Sequence, residues 1–361
     1  MIIFSVNDVR QRLQKGEFVS VTTLKDISDK LGISVSTVSR VVHNKMYVKK
    51  ETKEKVLLAL QQYNYIPNEI ARSLKAHASM TIGIVIPDIC EIFFGGIIKG
   101  IDSVVSPYGY TIIIADTNES KENEKKCLEM LYQKRIDALV LATVDLTGES
   151  VKRFLGTSIP VIFIDNIPKL NNIVSITINN RIASKIAVNQ LIKAGHTEIA
   201  TIIGSIEETT GFERMQGYKE ALEQADLPFY EQLIQFGKYK EQDGFQCMDR
   251  LLKRRSKRSF TAVYVTSEMM TFGAIKAIQK HGLKIPRDIS LVGFDVHDKA
   301  GLLCPKIATI RQRENLIGKK TGEMLMEGLK NGKGRNMQLW DLKKILLQPE
   351  FICGESILQK T

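Results

Sequence analysis

Four side chains suited to binding a nucleic acid occur close together, in the order Ser36, Thr37, Ser39 and Arg40. Hydroxyl groups hydrogen-bond phosphate oxygens, and an arginine guanidinium can bind guanine through two parallel hydrogen bonds. The valines at positions 38, 41 and 42 repeat at a helical spacing, which predicts a helix that buries them and exposes the polar set. The segment therefore indicates a DNA-contacting helix, and the ordinary chemistry of a helix start is the alternative for Ser36 and Thr37.

Residues that could catalyse a reaction or hold a metal do not occur in a specific pattern. The five histidines include no H-x-x-x-H or H-E-x-x-H spacing. Gly95–Gly100 lacks the spacing of a dinucleotide loop, and Gly318–Thr321 lacks the first glycine of a phosphate-binding loop. The five cysteines are widely spaced and form no C-x-x-C pair, which favours neither a disulfide framework nor a zinc module. The sequence thus predicts no enzyme, no metal site and no cofactor.

A helix-turn-helix would position the polar set. Thr22 or Thr23 can cap a preceding helix, Gly32 can supply a tight turn, and Ser34 can cap the helix that carries the polar residues. The second helix of such a pair enters the major groove of DNA. The apolar face of the first helix consists of Leu24, Ile27 and Leu31. A third helix is expected from Thr52, and its predicted inward-facing residues are Val56, Leu57, Leu60 and Tyr63.

The positive charge is concentrated towards the N-terminal end. The chain of 361 residues carries 51 Lys and Arg against 40 Asp and Glu, which gives a net charge of +11. Ten basic and five acidic residues fall at positions 21–79, and the remaining surplus is dilute. A dense basic surplus is typical of a nucleic-acid-binding unit attached to a more neutral body. No uncharged apolar run reaches the ~18 residues of a membrane helix, so we expect a cytoplasmic protein with no membrane partner.

From Thr81 onward, strand and helix patterns alternate to the end of the chain. Apolar runs such as Thr81–Ile86 and Val161–Ile164 are separated by helical stretches such as Arg181–Ala194. Uninterrupted apolar strands between helices are typical of parallel sheets that are covered on both faces. The number of such units predicts two α/β subdomains. Because ligands of these folds bind beyond the carboxyl ends of strands, a cleft should be lined by residues that follow each strand.

Longer motifs in both regions resemble those of LacI/GalR-family transcription regulators. The matching runs near the N-terminal end are Thr23–Ile27, Gly32–Arg40 and Tyr65–Lys75. The later matching runs are Thr81–Asp88, Asp137–Val140, Pro160–Asp165, Arg214–Tyr218, Asp288–Asp295 and Gln348–Glu350. The resemblance covers almost the whole chain except residues 1–20. It implies a small all-α helix-turn-helix head and an α/β periplasmic-binding-protein-like core of two doubly wound parallel-sheet subdomains.

The resemblance also implies domain boundaries. The expected units are a helix-turn-helix domain at 21–66, a hinge helix and linker at 67–79, and an effector-binding and dimerisation core at 80–361. The expected subdomains of the core are about 80–177 plus 311–340, and about 178–310 plus 341–361. Residues 1–20 receive no role, and an alternative start site or an unstructured arm is the simplest interpretation.

For DNA, the resemblance implies three sets of contacts. The residues expected at base edges are Val35, Ser36 and Arg40. Those expected at phosphates are Ser34, Thr37, Ser39, Asn44 and Thr52. In the hinge helix, Leu74 would wedge between base pairs in the minor groove, and Arg72 and Lys75 would lie near phosphates.

For a small-molecule effector, the resemblance implies a cleft suited to a sugar-like ligand. Carboxylates would accept hydroxyl protons, arginine would donate, and aromatic faces would cover a sugar ring. The residues expected there are Phe93, Phe94, Asp165, Arg214, Tyr239, Ser267 and Asp295. The family often has Asn-Asp where this chain has Ser267-Glu268, and Asn-Pro where it has Glu91-Ile92. The effector is therefore expected to differ from a plain neutral hexose, and an acidic or phosphorylated ligand is an alternative.

The prediction is a sequence-specific DNA-binding repressor of carbohydrate-utilisation genes that acts as a homodimer on a pseudo-palindromic operator. Effector binding would move the two subdomains and thereby alter the affinity for DNA. A global carbon-catabolite regulator activated by a phosphorylated carrier protein is one alternative. A solute-binding protein and an α/β enzyme are alternatives from other classes.

Overall fold

The computed structural model describes residues 23–42, 48–63, 65, 78–256, 259–298, 301–330 and 344–360. The chain divides into two compact units, Met1–His77 and Ala78–Thr361. We refer to the first unit as the head and to the second as the core. Within the described residues, no helix combines the length and the apolar character needed to cross a bilayer.

The described part of the head contains three helices, and their bounds are α1 Leu24–Leu31, α2 Val35–Val42 and α3 Lys50–Gln62. Thr23, rather than Thr22, begins α1 with a capping box: its hydroxyl accepts from the Asp26 amide at 3.2 Å, and its own amide donates to Asp26 Oδ2 at 2.8 Å. Gly32 ends α1 at φ +63°, a left-handed conformation that suits glycine. The Thr37 amide then donates to Ser34 Oγ at 3.3 Å. These contacts confirm the predicted helix-turn-helix.

The small core of the head corrects one prediction for α3. Its buried residues are Ile27, Val38, Val41, Val56 and Ala59. Leu57, which was expected to face inward, is 46% exposed. A helix turns about 100° per residue, so the inward face that begins at Val56 continues three and four residues later, at Ala59 and Leu60. The position next to Val56 therefore points away from the other two helices.

The core contains eight helices and twelve strands among its described residues. The helices are α4 Ile92–Val105, α5 Lys121–Gln133, α6 Lys152–Leu155, α7 Asn180–Lys193, α8 Thr209–Gln224, α9 Glu241–Lys253, α10 Glu268–Lys280 and α11 Glu314–Lys330. The strands are β1 Thr81–Ile86, β2 Thr111–Asp116, β3 Ala138–Leu141, β4 Val161–Ile164, β5 Val174–Ile178, β6 Ile199–Ile203, β7 Ile234–Phe236, β8 Ala262–Val265, β9 Ser290–Phe294, β10 Ala308–Arg311, β11 Lys344–Leu347 and β12 Glu350–Ile352.

The strands form two six-stranded sheets with the same winding. The order is β11-β5-β4-β3-β1-β2 in the first sheet and β12-β10-β9-β8-β6-β7 in the second. Among the described strands, all pairings are parallel except β10 with β12. The central strands of both sheets are fully buried. This confirms the predicted fold of two doubly wound subdomains, which we call the first and second subdomains.

One expected boundary between the subdomains is wrong. Residues 341–361 were assigned to the second subdomain, but β11 pairs in parallel with β5 of the first sheet. Only β12, which begins three residues after β11 ends, belongs to the second sheet. The chain therefore changes subdomain after β5, after β10 and again after β11. The helix α11 packs on α4 of the first subdomain, where Gly100 lies against the Asn315 carbonyl.

Candidate functional site

A cavity of about 440 Å³ lies between the two subdomains, at the carboxyl ends of their strands. Both subdomains contribute to its walls, as the predicted topology requires. All seven side chains expected in an effector cleft line this one cavity, and they are Phe93, Phe94, Asp165, Arg214, Tyr239, Ser267 and Asp295. They come from α4 and α8, from the N-cap of α10 and from the turns that follow β4, β7 and β9, so the fold brings together residues that are far apart in sequence.

Arg214 is held rigidly in the wall of the cavity. It lies on α8 and is only 4% exposed. Its Nε donates to Asn180 Oδ1 at 2.8 Å, and its Nη1 donates to the Thr266 carbonyl at 2.8 Å. The guanidinium also stacks on Phe294, with 3.8 Å between its central carbon and the ring centroid. These contacts fix the plane of the group before any ligand enters.

Asp165 and Asp295 occupy equivalent places in the two subdomains, directly after β4 and β9. Both have left-handed backbones, with φ of +60° and +52°. Burial raises the pKa of each to about 6, although the Arg214 guanidinium opposes the shift for both. Asp295 is held by Gln312, whose amide and side-chain nitrogens donate to it at 2.9 and 2.6 Å. The two carboxylates are thus presented at matching strand ends.

Aromatic side chains cover part of the cavity. Phe93 and Phe94 pack edge to face in the first turn of α4, with centroids 5.1 Å apart. Tyr239 follows β7 in a left-handed conformation at φ +62°, and its ring lies against the Cα of Gly204. A methyl group at Gly204 would come within 2.1 Å of that ring, so this approach requires glycine. Ser267 contributes differently, because its hydroxyl caps α10 by accepting from the Met270 amide at 3.3 Å.

A polar junction that the sequence did not indicate joins the two subdomains at the floor of the cavity. Asn166, which follows β4, donates to Glu208 at 2.9 Å and accepts from the Thr210 hydroxyl at 3.1 Å. Both partners lie at the start of α8 in the second subdomain. The Asn166 side chain is therefore a hydrogen-bonded bridge beside the predicted Asp165. The only feature of the sequence that could have indicated Asn166 is its position directly after Asp165, a predicted ligand residue.

A second bridge of charged groups lies at the cavity rim. Lys240 Nζ, from the second subdomain, lies 3.0 Å from Asp88 Oδ2 and 2.8 Å from Glu119 Oε1 of the first. Burial lowers the pKa of Lys240, but the hydrogen bonds with Glu119 and Asp88 outweigh it and raise the pKa above its usual value. The pair therefore favours the arrangement in which the two subdomains approach each other.

A third bridge centres on His297, two residues after Asp295. Its Nδ1 lies 3.2 Å from Glu268 Oε1 and its Nε2 lies 3.2 Å from Glu314 Oε1. Burial lowers the pKa of His297, but hydrogen bonds with the two carboxylates outweigh it and raise the pKa to about 9. The imidazole thus connects α10 of the second subdomain with the start of α11, which packs on the first.

On the head, α2 presents the polar side chains that were predicted to contact DNA. Val35 is 43% exposed, Ser36 and Arg40 are exposed, and Thr37 and Ser39 are partly exposed. Ser34 is exposed and Thr52 partly exposed. The buried face of the helix is formed by Val38 and Val41. The remaining predicted DNA contacts lie outside the described residues, and they are Asn44, Arg72, Leu74 and Lys75.

A helix-turn-helix head and a two-subdomain core with a ligand-sized cavity together define a class, the ligand-responsive transcription regulators. Family models match both parts: residues 23–68 match "Bacterial regulatory proteins, lacI family" and residues 79–339 match "Periplasmic binding proteins and sugar binding domain of LacI family". The chain therefore belongs to the LacI family, which confirms the predicted resemblance.

Individual relatives agree with this assignment. The chain is 31% identical to the HTH-type transcriptional repressor PurR of Histophilus somni over 93% of this chain and 99% of the relative. It is 32% identical to catabolite control protein A of Priestia megaterium over 82% and 89% of the two chains. The crystal structure of the Lac repressor dimer bound to operator and the anti-inducer ONPF superimposes with a TM-score of 0.81 at 25% identity, and the match covers 93% and 99% of the chains. These relatives are transcription regulators, which confirms the expectation of a regulator rather than an enzyme.

Proposed function

We propose that this protein is a cytoplasmic, homodimeric repressor that binds a pseudo-palindromic operator and is controlled by a small ligand in the cavity between its subdomains. The observation that carries the proposal is the exposed face of α2, because it presents Val35, Ser36 and Arg40 on a helix whose other face is buried. A helix of this kind can read base edges in the major groove. The relatives named PurR and Lac repressor support the assignment as a repressor.

The cavity supports control by a ligand. Its walls come from both subdomains, so a bound molecule would favour one relative position of the two over another. Its volume falls in the range of small-molecule sites, and its lining combines aromatic rings with a few fixed polar groups. The three bridges at Asn166, Lys240 and His297 would be made or broken by the same movement. Any resulting change in DNA affinity must be matched by an equal change in ligand affinity.

Pairing of two copies would give the two heads that a pseudo-palindromic operator requires. The edge of the first sheet offers a surface for such pairing, because Tyr108 and Ile114 are 48% and 41% exposed there. Large apolar residues exposed at a sheet edge are often covered by a partner. The solved Lac repressor relative is a dimer on its operator, which supports the same arrangement here.

Selection of bound sequences from random double-stranded DNA, with the full-length protein, tests this function. We expect enrichment of a pseudo-palindromic sequence. Arg40→Ala should weaken binding to that sequence by about 1–3 kcal/mol and relax the preference at one symmetric pair of positions. Lys55→Ala removes the same charge from an exposed position of α3 and serves as the matched control. Failure to enrich any sequence, or an unchanged preference in Arg40→Ala, would contradict the proposal.

A carbon-catabolite regulator activated by a phosphorylated carrier protein is the second candidate. The specific observation in its favour is the 32% identity to catabolite control protein A of Priestia megaterium. A pull-down with that carrier in its phosphorylated and unphosphorylated forms separates the two candidates. Capture that depends on the phosphate and increases operator affinity would favour the second candidate over a repressor that responds to a ligand alone.

A further inference from the structure

The described lining of the cavity is acidic. Seven of the residues that line it are Asp or Glu, whereas three are Lys or Arg. Lys121 and Lys238 are exposed at the rim, so water screens their charges. Arg214 and the protonated His297 are the other cations of the described lining. Arg214 is committed to Asn180 and to the Thr266 carbonyl, and His297 is committed to Glu268 and Glu314. Lys240, near the rim, is paired with two carboxylates of the first subdomain.

Glu91 is a carboxylate of the cavity lining that receives little stabilisation from the protein. It precedes α4 at the N-cap position but makes no capping hydrogen bond. No residue that the structure describes donates a hydrogen bond to its carboxylate, which instead lines the cavity. Burial, together with the negative charges of Asp165, Asp88 and Glu119, raises its pKa to about 8, although Lys240 opposes the shift. The half-buried Glu91 is therefore mostly protonated at pH 7, and a cation bound beside it would favour the ionised carboxylate.

Glu208 extends the same acidic region on the opposite wall. It also stands at an N-cap, that of α8, without capping the helix. Its carboxylate accepts from Asn166 and interacts unfavourably with the charge of Asp165. Glu91 and Glu208 line the same cavity as Asp165, and each interacts unfavourably with its charge. Phe93 and Phe94 follow Glu91 after one intervening residue and line the same cavity, and aromatic faces attract cations as well as sugar rings.

We propose that the effector is a hydroxylated amine, such as an amino sugar, whose ammonium group binds between Glu91 and Asp165. This inference rests on the proposed function of the cavity as an effector site. The ammonium supplies a positive charge that is not already committed to other protein groups, as those of Arg214 and Lys240 are, and the aromatic rings cover the apolar side of the ligand. Phosphorylated and carboxylated sugars are disfavoured, because they would add negative charge to an acidic wall.

Matched pairs of sugars test the proposal with the full-length protein at pH 7. The probes are D-glucosamine against D-glucose, the β-1,4-linked disaccharide of glucosamine against that of glucose, and glucose 6-phosphate and gluconate as anions. We expect at least one amine to raise the melting temperature and to bind in calorimetry, while its neutral partner binds about tenfold more weakly or less. Glu91→Gln should weaken amine binding by about tenfold, and Glu223→Gln, at an exposed position of α8, should leave it unchanged.

The proposal is overturned by any of three results: no amine stabilises the protein, a neutral or anionic sugar stabilises it as much as its amine counterpart, or Glu91→Gln binds the amine as tightly as the wild type. If Glu91→Gln does not fold, Asp165→Asn gives the same comparison. Selection of operator DNA with the same protein preparation distinguishes failure of the amine proposal from failure of the proposed function. A protein that enriches an operator but responds to a neutral sugar retains the proposed function and refutes the amine, whereas a protein that enriches no sequence refutes the function itself.

Discussion

Lys240 of the second subdomain lies 3.0 Å from Asp88 of the first, so this ion pair joins the two subdomains at the rim of the cavity. Glu119 binds the same ammonium group at 2.8 Å. The Lys240 side chain is 47% exposed and that of Asp88 is 21% exposed, which limits what the pair adds to stability. Its importance therefore lies in the relative position of the subdomains rather than in the free energy of unfolding.

Lys240→Gln is expected to change the free energy of unfolding by less than about 1 kcal/mol and to increase the rate of ligand dissociation by up to about fivefold. The reason is that the ion pair opposes separation of the subdomains and contributes little to either one alone. Stopped-flow dissociation and urea unfolding measure the two effects. Lys276→Gln is the control, since Lys276 and Glu241 form an exposed ion pair at 2.7 Å within the second subdomain. Equal dissociation rates in the two variants would show that Lys240 does not hold the cavity closed.

Arg214→Lys should lower the free energy of unfolding by about 2 kcal/mol, because a lysine cannot satisfy both the Asn180 and Thr266 acceptors or stack on Phe294 in the same way. Ligand-dependent control of DNA binding should be lost in this variant even where it folds. Arg153→Lys is the matched control, because Arg153 forms an exposed ion pair with Glu129. It should lower the free energy of unfolding by about 0–1 kcal/mol. Urea unfolding and operator titration measure the two results, and equal unfolding free energies for the two variants would be inconsistent with a buried, fixed Arg214.

The pH dependence of stability should carry a signature of His297. Its pKa is raised from 6.5 to about 9 in the folded chain, so the folded state binds the proton more tightly than the unfolded state. The stabilisation is therefore fully present below about pH 6.5 and is lost as the pH rises through 9. Unfolding free energies measured from pH 6 to pH 10 should fall with a steeper slope in the wild type than in His297→Gln. Identical slopes would mean that the two glutamates do not stabilise the imidazolium.

Thr23→Ala should destabilise the head by about 1 kcal/mol, because it removes the hydroxyl that accepts from the Asp26 amide. Thr23→Ser keeps that hydroxyl and should be close to the wild type. Hydrogen exchange of α1 amides measures the effect within the head, separately from the unfolding of the core. Equal protection in the alanine and serine variants would contradict a capping role for this hydroxyl.

Leu74→Ala should weaken operator binding while leaving the fold and the ligand affinity intact, because the apolar wedge would be lost from the minor groove. Leu74 lies outside the described residues, so this prediction rests on the sequence motif alone. A gel-shift titration with the selected operator measures the affinity, and an unfolding curve together with ligand calorimetry supplies the controls. Unchanged operator affinity would refute the wedge.

Local sequence patterns were sufficient for the head and for most of the framework of the core. The capping residues, the Gly32 turn and the helical repeat of valines depend on interactions within four or five positions. Strands such as Thr81–Ile86, Ala138–Leu141 and Ile199–Ile203 were evident because a buried strand is an uninterrupted apolar run. The short strands β7 and β12 gave no comparable signal, since each is only three residues long and partly exposed.

The sequence by itself determined the class of the protein, the winding of its sheets and which residues follow each strand at the cleft. Tertiary structure alone decided which charges meet across that cleft. Lys240 and Asp88 are 152 residues apart, and Glu268 and Glu314 approach His297 from two different helices. No local pattern encodes such contacts, because they depend on how the two sheets are positioned by the three passages of the chain between the subdomains. The acidic, cation-poor environment of Glu91 arises for the same reason, since its neighbours Asp165 and Glu119 come from the ends of other strands.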